Sequence, residues 1–337
     1  MVALDTAVVL AAGMGRRMGV LSRFYPKPLI PVANKPVIDW VFSSLSNAGV
    51  RRFIVVVGYM GSVIKRHIER YFSNVDVKCV YADDYVKGAG YSLLAAEGYV
   101  SGDFLLSPAD LILDPKIVSG LIKASSRLGV PLLATGSAKR QGTAISTSGG
   151  MCGSVVSMKK GCGVERVCIG LVALDSSFFN CLRRSINNGE GSVVSALDLY
   201  IREGGCLKFI DFPETCWFDV DTITEVLKVN SYLLNAGIIP QNNFYVPPGE
   251  VWSLSCREES ITRSTVFGPV LFNPECSIEG SKLGPNVSLN GGVSCKKAIV
   301  SDAVVFGRCK LKGVVKSGIL FNNMFFSEGT RIEQVPC

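Results

Sequence analysis

Histidine is nearly absent from this sequence, and the single one, His67, follows Arg66 in a stretch with helical spacing. Histidine is the commonest general base in enzymes and a frequent metal ligand. We expect His67 to be an ordinary surface residue. Mechanisms that need a catalytic histidine or a histidine metal cluster are therefore disfavoured.

Long apolar runs and closely spaced cysteine pairs are missing as well. No apolar run reaches the roughly 18 residues of a transmembrane helix, and the run from Ala7 to Ala12 is too short for a signal peptide. We therefore expect a cytoplasmic protein and no membrane partner. The 12 cysteines include no C-x-x-C pair, so a zinc site is not expected. We interpret most of them as small buried hydrophobes and leave open whether any form disulfides.

Charge is also modest. Charged residues make up 19% of the 337 residues, and the net charge is +7. The basic residues form no concentrated stripe, so nucleic acid is not an expected partner, whereas phosphorylated small molecules suit this balance. Apolar residues make up 48%, enough to bury the cores of two domains.

The first half of the chain alternates apolar strands with amphipathic helices. Continuous apolar runs predict strands in these ranges: 6–12, 51–58, 77–82 and 103–113, the last ending near Asp110. Helical spacing predicts helices in these: 37–49, 62–72 and 91–100. The β-α-β-α-β-α-β order predicts an α/β fold with an open, mostly parallel, Rossmann-like sheet covered on both faces. Ligands of such sheets bind at the carboxyl ends of the strands, where residues 13–17 and Asp110 fall.

From about residue 240 the pattern changes, and apolar residues recur every six positions. Two such files run in step: Val287, Val293, Ile299, Val305 and Leu311, beside Leu283, Leu289 and Cys295. A period of six is typical of a parallel β-helix whose triangular coils each take about three hexapeptides. We predict a catalytic domain over residues 1–237 and a short left-handed β-helix over 238–337, a separate module that carries none of the chemistry.

The strongest functional motif is LAAGMGRRM, residues 10–18, followed by Pro26-Lys27-Pro28. Gly13 and Gly15 would let backbone N–H groups approach a polyphosphate with no Cβ in the way. Arg17 can neutralise a leaving pyrophosphate, and Lys27 the α-phosphate. The motif is not a Walker loop, because no G-K-[ST] closes it. It is not the dinucleotide fingerprint either, because a methionine stands where the third glycine belongs.

This motif resembles the signature of the nucleotidyltransferases that make NDP-sugars, L-A-A-G-x-G-[ST]-R-[LM] followed by P-K-P. Arg16 departs from it, standing where the family usually has a small or polar residue. The resemblance spans nearly the whole chain, including the hexapeptide tail that many members carry. It implies the nucleotide-diphospho-sugar transferase fold and an enzyme that condenses an NTP with a sugar-1-phosphate, releasing pyrophosphate. It assigns catalysis to Arg17 and Lys27, and nucleotide binding to these residues: Leu10, Ala11, Ala12, Gly13 and Gly15.

Three further segments resemble functional parts of this family. KGAGYSLL, residues 87–94, resembles the loop that holds the base through backbone groups, which implicates Gly88 and Gly90 in nucleotide binding. FLLSPAD, residues 104–110, and WFDVDT, residues 217–222, resemble the segments that supply two metal-binding aspartates. These are Asp110 and Asp219, with Asp221 as the second choice, and two carboxylates suit Mg²⁺ on a triphosphate.

The resemblance also extends to the acceptor. It implies that Lys160, or Lys159 as a fallback, contacts the acceptor phosphate and that Gly170 lies beside the acceptor hydroxyls. The GxGYSLL and WFDVDT segments resemble the inositol-1-phosphate cytidylyltransferase branch more than the uridylyl- or thymidylyltransferase branch. Ala89 and Leu111 depart from that branch, however, and the β-helical tail points back toward sugar-1-phosphate enzymes.

A catalytically inactive regulatory homologue is the remaining alternative. It is disfavoured because such proteins typically lose the arginine, lysine or metal aspartate, and all three are present here. The sequence leaves open the base, the acceptor and the oligomeric state, with the β-helix as the surface through which a homo-oligomer would form.

Overall fold

A computed structural model describes residues 4–137, 143–148, 151–157, 166–213, 215–254, 261–328 and 333–334. Its chain divides into two compact units: Met1–Met14 with Ile38–Trp217, and Gly15–Val37 with Phe218–Cys337. The α-helices are α1 Val37–Asn47, α2 Gly61–Tyr71, α3 Ala89–Leu94, α4 Pro115–Leu128, α5 Phe178–Asn187, α6 Val193–Arg202 and α7 Ile223–Asn235. Within these described residues, no helix has the length and apolar character to cross a membrane. The boundary at residue 237 that the sequence suggests stays a prediction.

A nine-stranded sheet organises the first unit. Up to residue 219 the strands are β1 Thr6–Ala11, β2 Pro31–Val32, β3 Lys35–Pro36, β4 Arg52–Val57, β5 Asp76–Tyr81, β6 Asp103–Pro108, β7 Leu111–Leu113, β8 Leu132–Ser137, β9 Thr143–Ser148, β10 Met151–Ser157, β11 Arg166–Asp175, β12 Lys208–Asp211 and β13 Trp217–Asp219. The sheet order is β5-β4-β1-β6-β11-β8-β12-β10-β9. The first four strands are parallel, and β11 runs antiparallel to both of its neighbours β6 and β8.

This architecture confirms the predicted α/β fold with a sheet rich in parallel strands. Successive side chains of a strand point to opposite faces, and in β1 the consecutive Ala7, Val8 and Val9 are all fully buried, so both faces of the sheet are covered. Phe42 of α1 stacks on Phe53 of β4 with ring centroids 4.5 Å apart. The continuous apolar runs of the sequence are thus explained by burial on two sides.

Two local predictions in the first unit were wrong. The helix expected over 91–100 is shorter, because α3 ends at Leu94 and a 3₁₀ turn, Glu97–Tyr99, follows around the weak helix former Gly98. His67 is half-buried rather than on the surface, with its Nε2 2.7 Å from Asp39 Oδ1 and its ring beside Tyr71. It holds α2 to α1, a structural role.

The second unit carries a large sheet in which strands repeat along the chain. Its strands after residue 219 are β14 Phe244–Val246, β15 Val251–Leu254, β16 Ile261–Thr262, β17 Ser264–Phe267, β18 Val270–Phe272, β19 Ser277–Glu279, β20 Lys282–Leu283, β21 Val287–Leu289, β22 Val293–Phe306, β23 Cys309–Phe321, β24 Met324–Phe326 and β25 Glu333–Gln334. Parallel partners are offset by similar lengths of chain: Val270 pairs with Val287, and Val293 with Cys309. An offset near three hexapeptides agrees with the predicted β-helix, whose handedness stays a prediction.

The predicted inner files of this unit are largely buried. Of the two files, all members except Ile299 are buried in the core of the second unit or at its edge. Ile299 is 44% exposed, and its neighbour Val300 is buried in its place. The cause is an extra residue in the coil: Lys297 adopts a left-handed φ of 51°, and the β22–β23 register shifts between Cys295 and Ala298.

No disulfide joins any two of the nine cysteines among the described residues. The prediction that most are small buried hydrophobes agrees with the burial of these five: Cys152, Cys181, Cys276, Cys295 and Cys309. Burial raises the pKa of Cys152 and of Cys295 to about 12. These side chains are therefore neutral packing groups at physiological pH.

Candidate active site

A cavity of about 370 Å³ opens in the first unit at the carboxyl ends of β1 and β6. From these strand ends it is lined by Leu10, Ala12, Gly13, Leu106, Pro108 and Asp110. The chain adds β4 and β5 on one side of β1 and then β6 on the other, so the cavity lies at a point where the strand order reverses. Such points are where open α/β sheets bind ligands, and the volume suits a small molecule.

Backbone hydrogen bonds fix the end of β1. The N–H of Ala109 donates to the carbonyl of Leu10 at 3.0 Å, and the N–H of Tyr59 donates to that of Ala12 at 3.1 Å. Leu10, Ala12, Gly13 and Asp110, all singled out from the sequence, therefore lie around one cavity. Ala11 is buried and is not part of the lining.

Gly13 and Gly15 are glycines for different physical reasons. Gly15 has a left-handed φ of 62°, and a Cβ there would lie 3.0 Å from the Cβ of Lys27. Gly13 is exposed, its φ is not left-handed, and an added Cβ would meet no described atom within 4 Å. Nothing in the described chain requires a glycine at position 13, whereas a ligand that approaches the backbone closely would.

The predicted base loop borders the same cavity through Gly88 and Ala89. Gly88 has a φ of 140°, and a Cβ there would lie 2.4 Å from the carbonyl oxygen of Gly191. The N–H of Gly90 donates to that same oxygen at 2.9 Å, and Gly90 does not line the cavity. Gly191, just before α6, is a partner that sequence reasoning missed, since a single glycine ahead of a helix gives no sign of a distant contact.

Gly170 marks an irregularity in β11 on the cavity wall. Its φ is 105°, and the pairing of β11 with β8 shifts register between Cys168 and Val172. The side chain that is absent there leaves room beside Pro108, whose Cγ would lie 3.4 Å from an added Cβ. The far wall of the cavity is apolar, formed by Val172, Val193, Val194 and Leu197. Lys159 and Lys160 lie outside the described residues.

In the second unit, two predicted cations converge on one predicted carboxylate. Lys27 opens a 3₁₀ turn, Lys27–Leu29, and its Nζ contacts Asp221 Oδ1, while Arg17 contacts Asp221 Oδ2. The side chains of Lys27 and Asp221 are 9% and 8% exposed, against 72% for Arg17. Burial by itself would raise the pKa of Asp221, but the charge and hydrogen bond of Lys27, helped by Asp219 and Arg17, hold it below its ordinary value.

Asp219 and Asp221 form an acidic pair at the entrance to α7. Their carboxylate oxygens lie within 4.8 Å of one another, and the Asp221 N–H donates to the Asp219 carbonyl at 3.1 Å. Thr222 follows as the N-cap of α7, its hydroxyl accepting from the N–H of Glu225 at 3.1 Å. Adjacent hard oxygen donors are the ligands that a divalent cation takes.

Comparison with known proteins finds similar nucleotidyltransferases. Residues 7–173 match the family of MobA-like NTP transferase domains. The UTP–glucose-1-phosphate uridylyltransferase AglF of Haloferax volcanii is 28% identical over 206 residues, which cover 59% of this chain and 84% of that protein. The bifunctional IPC transferase and DIPP synthase of Aquifex aeolicus is 26% identical over 245 residues, 70% of this chain but 53% of that protein.

Solved structures show the same fold. The inositol-1-phosphate CTP transferase from T. maritima superposes with a TM-score of 0.59 and 20% identity, over 68% of this chain and 96% of that one. The cavity at the strand reversal, the open glycine at the end of β1 and these likenesses lead to one conclusion. The chain has the α/β nucleotidyltransferase fold, and its residues 7–173 are similar to the MobA-like NTP transferase domain.

Proposed function

We propose that this protein condenses an NTP with a sugar-1-phosphate, giving an NDP-sugar and pyrophosphate. The observation that carries the proposal is Gly13, an exposed glycine on the cavity wall that neither its φ nor its neighbours require. A polyphosphate held by backbone N–H groups at the end of β1 is the ligand that such a position favours. Leu10, Ala11, Ala12 and Gly15 would complete the nucleotide segment.

The reaction needs no covalent intermediate. An acceptor phosphate oxygen attacks the α-phosphorus in line, the new P–O bond forms, and the bond to pyrophosphate breaks. In our proposal Lys27 neutralises the α-phosphate and Arg17 the departing pyrophosphate. Asp221 holds both cations before substrate arrives, so that these charges are already oriented when the nucleotide binds.

A divalent cation fits the carboxylates of this chain, and we propose Mg²⁺. Asp110, Asp219 and Asp221 are the residues that would hold it. Mg²⁺ prefers oxygen ligands and usually takes one or two protein carboxylates together with phosphates and water. The lowered pKa of Asp221 keeps that side chain anionic, as a ligand must be. When bound, the cation supplies charge neutralisation on the triphosphate.

The remaining assignments are part of the same proposal. Gly88 and Gly90 would shape the loop around the base, and Gly170 and Lys160 would face the acceptor. We further propose that the reaction takes place in the cytoplasm, where NTPs are available, and that a homo-oligomer would form through the second unit.

A cytidylyltransferase acting on inositol-1-phosphate or a similar alcohol phosphate is the second candidate. It is favoured by the match to the IPC transferase relative, which covers more of this chain, 70%, than the uridylyltransferase match does, 59%.

A matrix of the four common NTPs against glucose-1-phosphate, N-acetylglucosamine-1-phosphate and inositol-1-phosphate tests both candidates, with pyrophosphate release as the readout. We expect one NTP–sugar pair to dominate. Turnover with CTP and inositol-1-phosphate alone would favour the second candidate. NTP binding without turnover of any pair would favour an inactive regulatory homologue.

A further inference from the structure

The segment that carries Lys27, residues 25–34, packs on one side against aromatic rings of the repeated C-terminal strands of its own unit. These strands, β14 to β25, are the strand coils. The ring of Tyr25, two residues before Lys27, lies 5.1 Å from that of Phe306 and 4.9 Å from that of Phe321. Phe306 and Phe321 stack on each other at 4.9 Å. They occupy facing positions in two successive rungs, β22 and β23, so the tyrosine closes a three-ring cluster on the coil.

On its other side the segment is held by a buried amide. Asn230 of α7 is fully buried, and its Oδ1 accepts the N–H of Ala33 at 2.9 Å and the hydroxyl of Ser288. Its Nδ2 donates to the carbonyl of Asn286 at 3.2 Å. One side chain thereby joins the segment to α7 and to the β21 rung.

The turn that Asn230 holds is conformationally unusual. It connects the short antiparallel strands β2 and β3, and both Ala33 and Asn34 have left-handed φ values, 46° and 59°. An alanine in this region is uncommon and needs support from its surroundings. Asn34 adds such support, because its Nδ2 donates to the carbonyl of Leu289 and to Asn243 Oδ1, each at 2.9 Å.

Lys27 therefore lies between two positions whose backbone is held, Tyr25 and Ala33. Its ion-pair partner Asp221 belongs to the same unit. Asp221 precedes α7 by two residues, and α7 is the helix that carries Asn230. The ammonium group is buried and charge-paired, so its direction follows from where the backbone at Tyr25 and Ala33 is held. A shift of about 1 Å in such a group can cost about 10²-fold in rate.

We propose that the C-terminal strand coils position the catalytic lysine, through Tyr25 and Asn230, and so form part of the transfer site. Tyr25 and Asn230 are positioning residues, since neither contacts a reacting atom. This inference rests on the proposed function, because it presumes that Lys27 acts on the reacting phosphate. It revises the expectation that the tail is a separate module without a part in the chemistry.

The test uses the full chain and compares Tyr25→Leu with the control Leu283→Ala. Leu283 is fully buried inside the coil core, so its truncation destabilises the same unit by a different route. We expect Tyr25→Leu to lower kcat by roughly 10- to 100-fold with the KM for NTP changed less than about threefold. Leu283→Ala should keep the wild-type kcat at temperatures well below its Tm, and Tyr25→Phe should restore most of the activity.

A double variant decides whether the tyrosine acts through the lysine. In the Lys27→Ala background, Tyr25→Leu should cause little further loss, because the group that it positions is already gone. An equal loss in both backgrounds, or an unchanged kcat for a folded Tyr25→Leu protein, would overturn the inference. If that variant fails to fold, Phe321→Leu, a milder change of the same ring cluster, takes its place with the same expectations.

Failure of the inference and failure of the proposed function are distinguishable. If Lys27→Ala alone leaves turnover unchanged, the catalytic role of Lys27 is wrong. If Lys27→Ala is inactive while Tyr25→Leu, Phe321→Leu and Asn230→Ala keep the wild-type kcat, the positioning role is wrong and the catalytic one stands.

Discussion

Two alanine substitutions, Gly13→Ala and Gly88→Ala, should distinguish a glycine that ligand binding requires from a glycine that the fold requires. At Gly13 the new Cβ meets no described atom within 4 Å, and φ is in an ordinary region. The free energy of unfolding should therefore stay within about 0.5 kcal/mol of wild type, or rise slightly because alanine restricts the unfolded chain. NTP affinity should fall at least about tenfold, equivalent to about 1.4 kcal/mol, because the methyl group occupies space next to the backbone N–H groups.

Gly88→Ala should instead mainly lower the free energy of unfolding. Its φ of 140° and ψ of 168° lie in a region that is essentially confined to glycine, which costs about 1–3 kcal/mol for other residues. The Cβ would also lie 2.4 Å from the carbonyl oxygen of Gly191, so the backbone of one loop must move. We expect a loss of about 3 kcal/mol or more, which lowers the Tm by about 6–12 °C for a unit of this size.

Urea denaturation gives the free energies, and titration calorimetry with each NTP at a temperature where both variants are folded gives the affinities. Wild-type NTP affinity in Gly13→Ala would refute the reasoning, because NTP binding would then not depend on the absence of a side chain at position 13. A large loss of stability in Gly13→Ala would show instead that packing against neighbouring residues requires a glycine at this position.

Four further outcomes are expected. Lys27→Ala should lower kcat by roughly 10²–10⁴-fold in steady-state assays, as removal of a preorganised charge does, with an unchanged circular dichroism spectrum. Asp110→Asn and Asp219→Asn should each abolish Mg²⁺-dependent turnover across a metal titration. If Asp219→Asn keeps wild-type turnover and Asp221→Asn is inactive, the metal ligand is Asp221 instead. If Asp110→Asn also keeps wild-type turnover, the proposed metal site is wrong. The pKa of Asp221 is lowered in the folded protein, so ionised Asp221 stabilises the fold above its unfolded pKa of about 4, and this stabilisation is lost as the pH falls through the folded pKa. The difference in unfolding free energy between wild type and Asp221→Asn should therefore become smaller in acid. Val293→Asp should unfold the strand coils by burying an unpaired charge, seen as the loss of one thermal transition.

The sequence predicted most where one local pattern decides the structure. The apolar run at β1 and the glycine after it located the cavity, because a run buried on two faces is recognisable without knowing its partners. The period of six located the core positions Leu283 and Val293, but it misplaced Ile299, since an extra residue at a coil corner leaves the pattern intact while it shifts the phase.

Features that depend on distant partners could not be predicted. The antiparallel direction of β11 is one, because apolar periodicity gives no strand direction. The contact of Lys27 with Asp221 is another: both residues were singled out, yet nothing in either segment indicates that they meet. Asn230 was not singled out at all, since a lone asparagine inside a helix is usually a solvated side chain rather than a buried three-way link.

The buried thiols of the two units can report how each unit opens. Cys152, in the first unit, and Cys295, in the second, are both buried with pKa values near 12. A thiolate reacts with an alkylating reagent, whereas a neutral thiol does not, so each of these residues should react only when its surroundings unfold. Exposed Cys206 would react first and serves as the internal standard. Mass spectrometry of timed alkylation would then yield separate opening free energies for the two units without any substitution in the sequence.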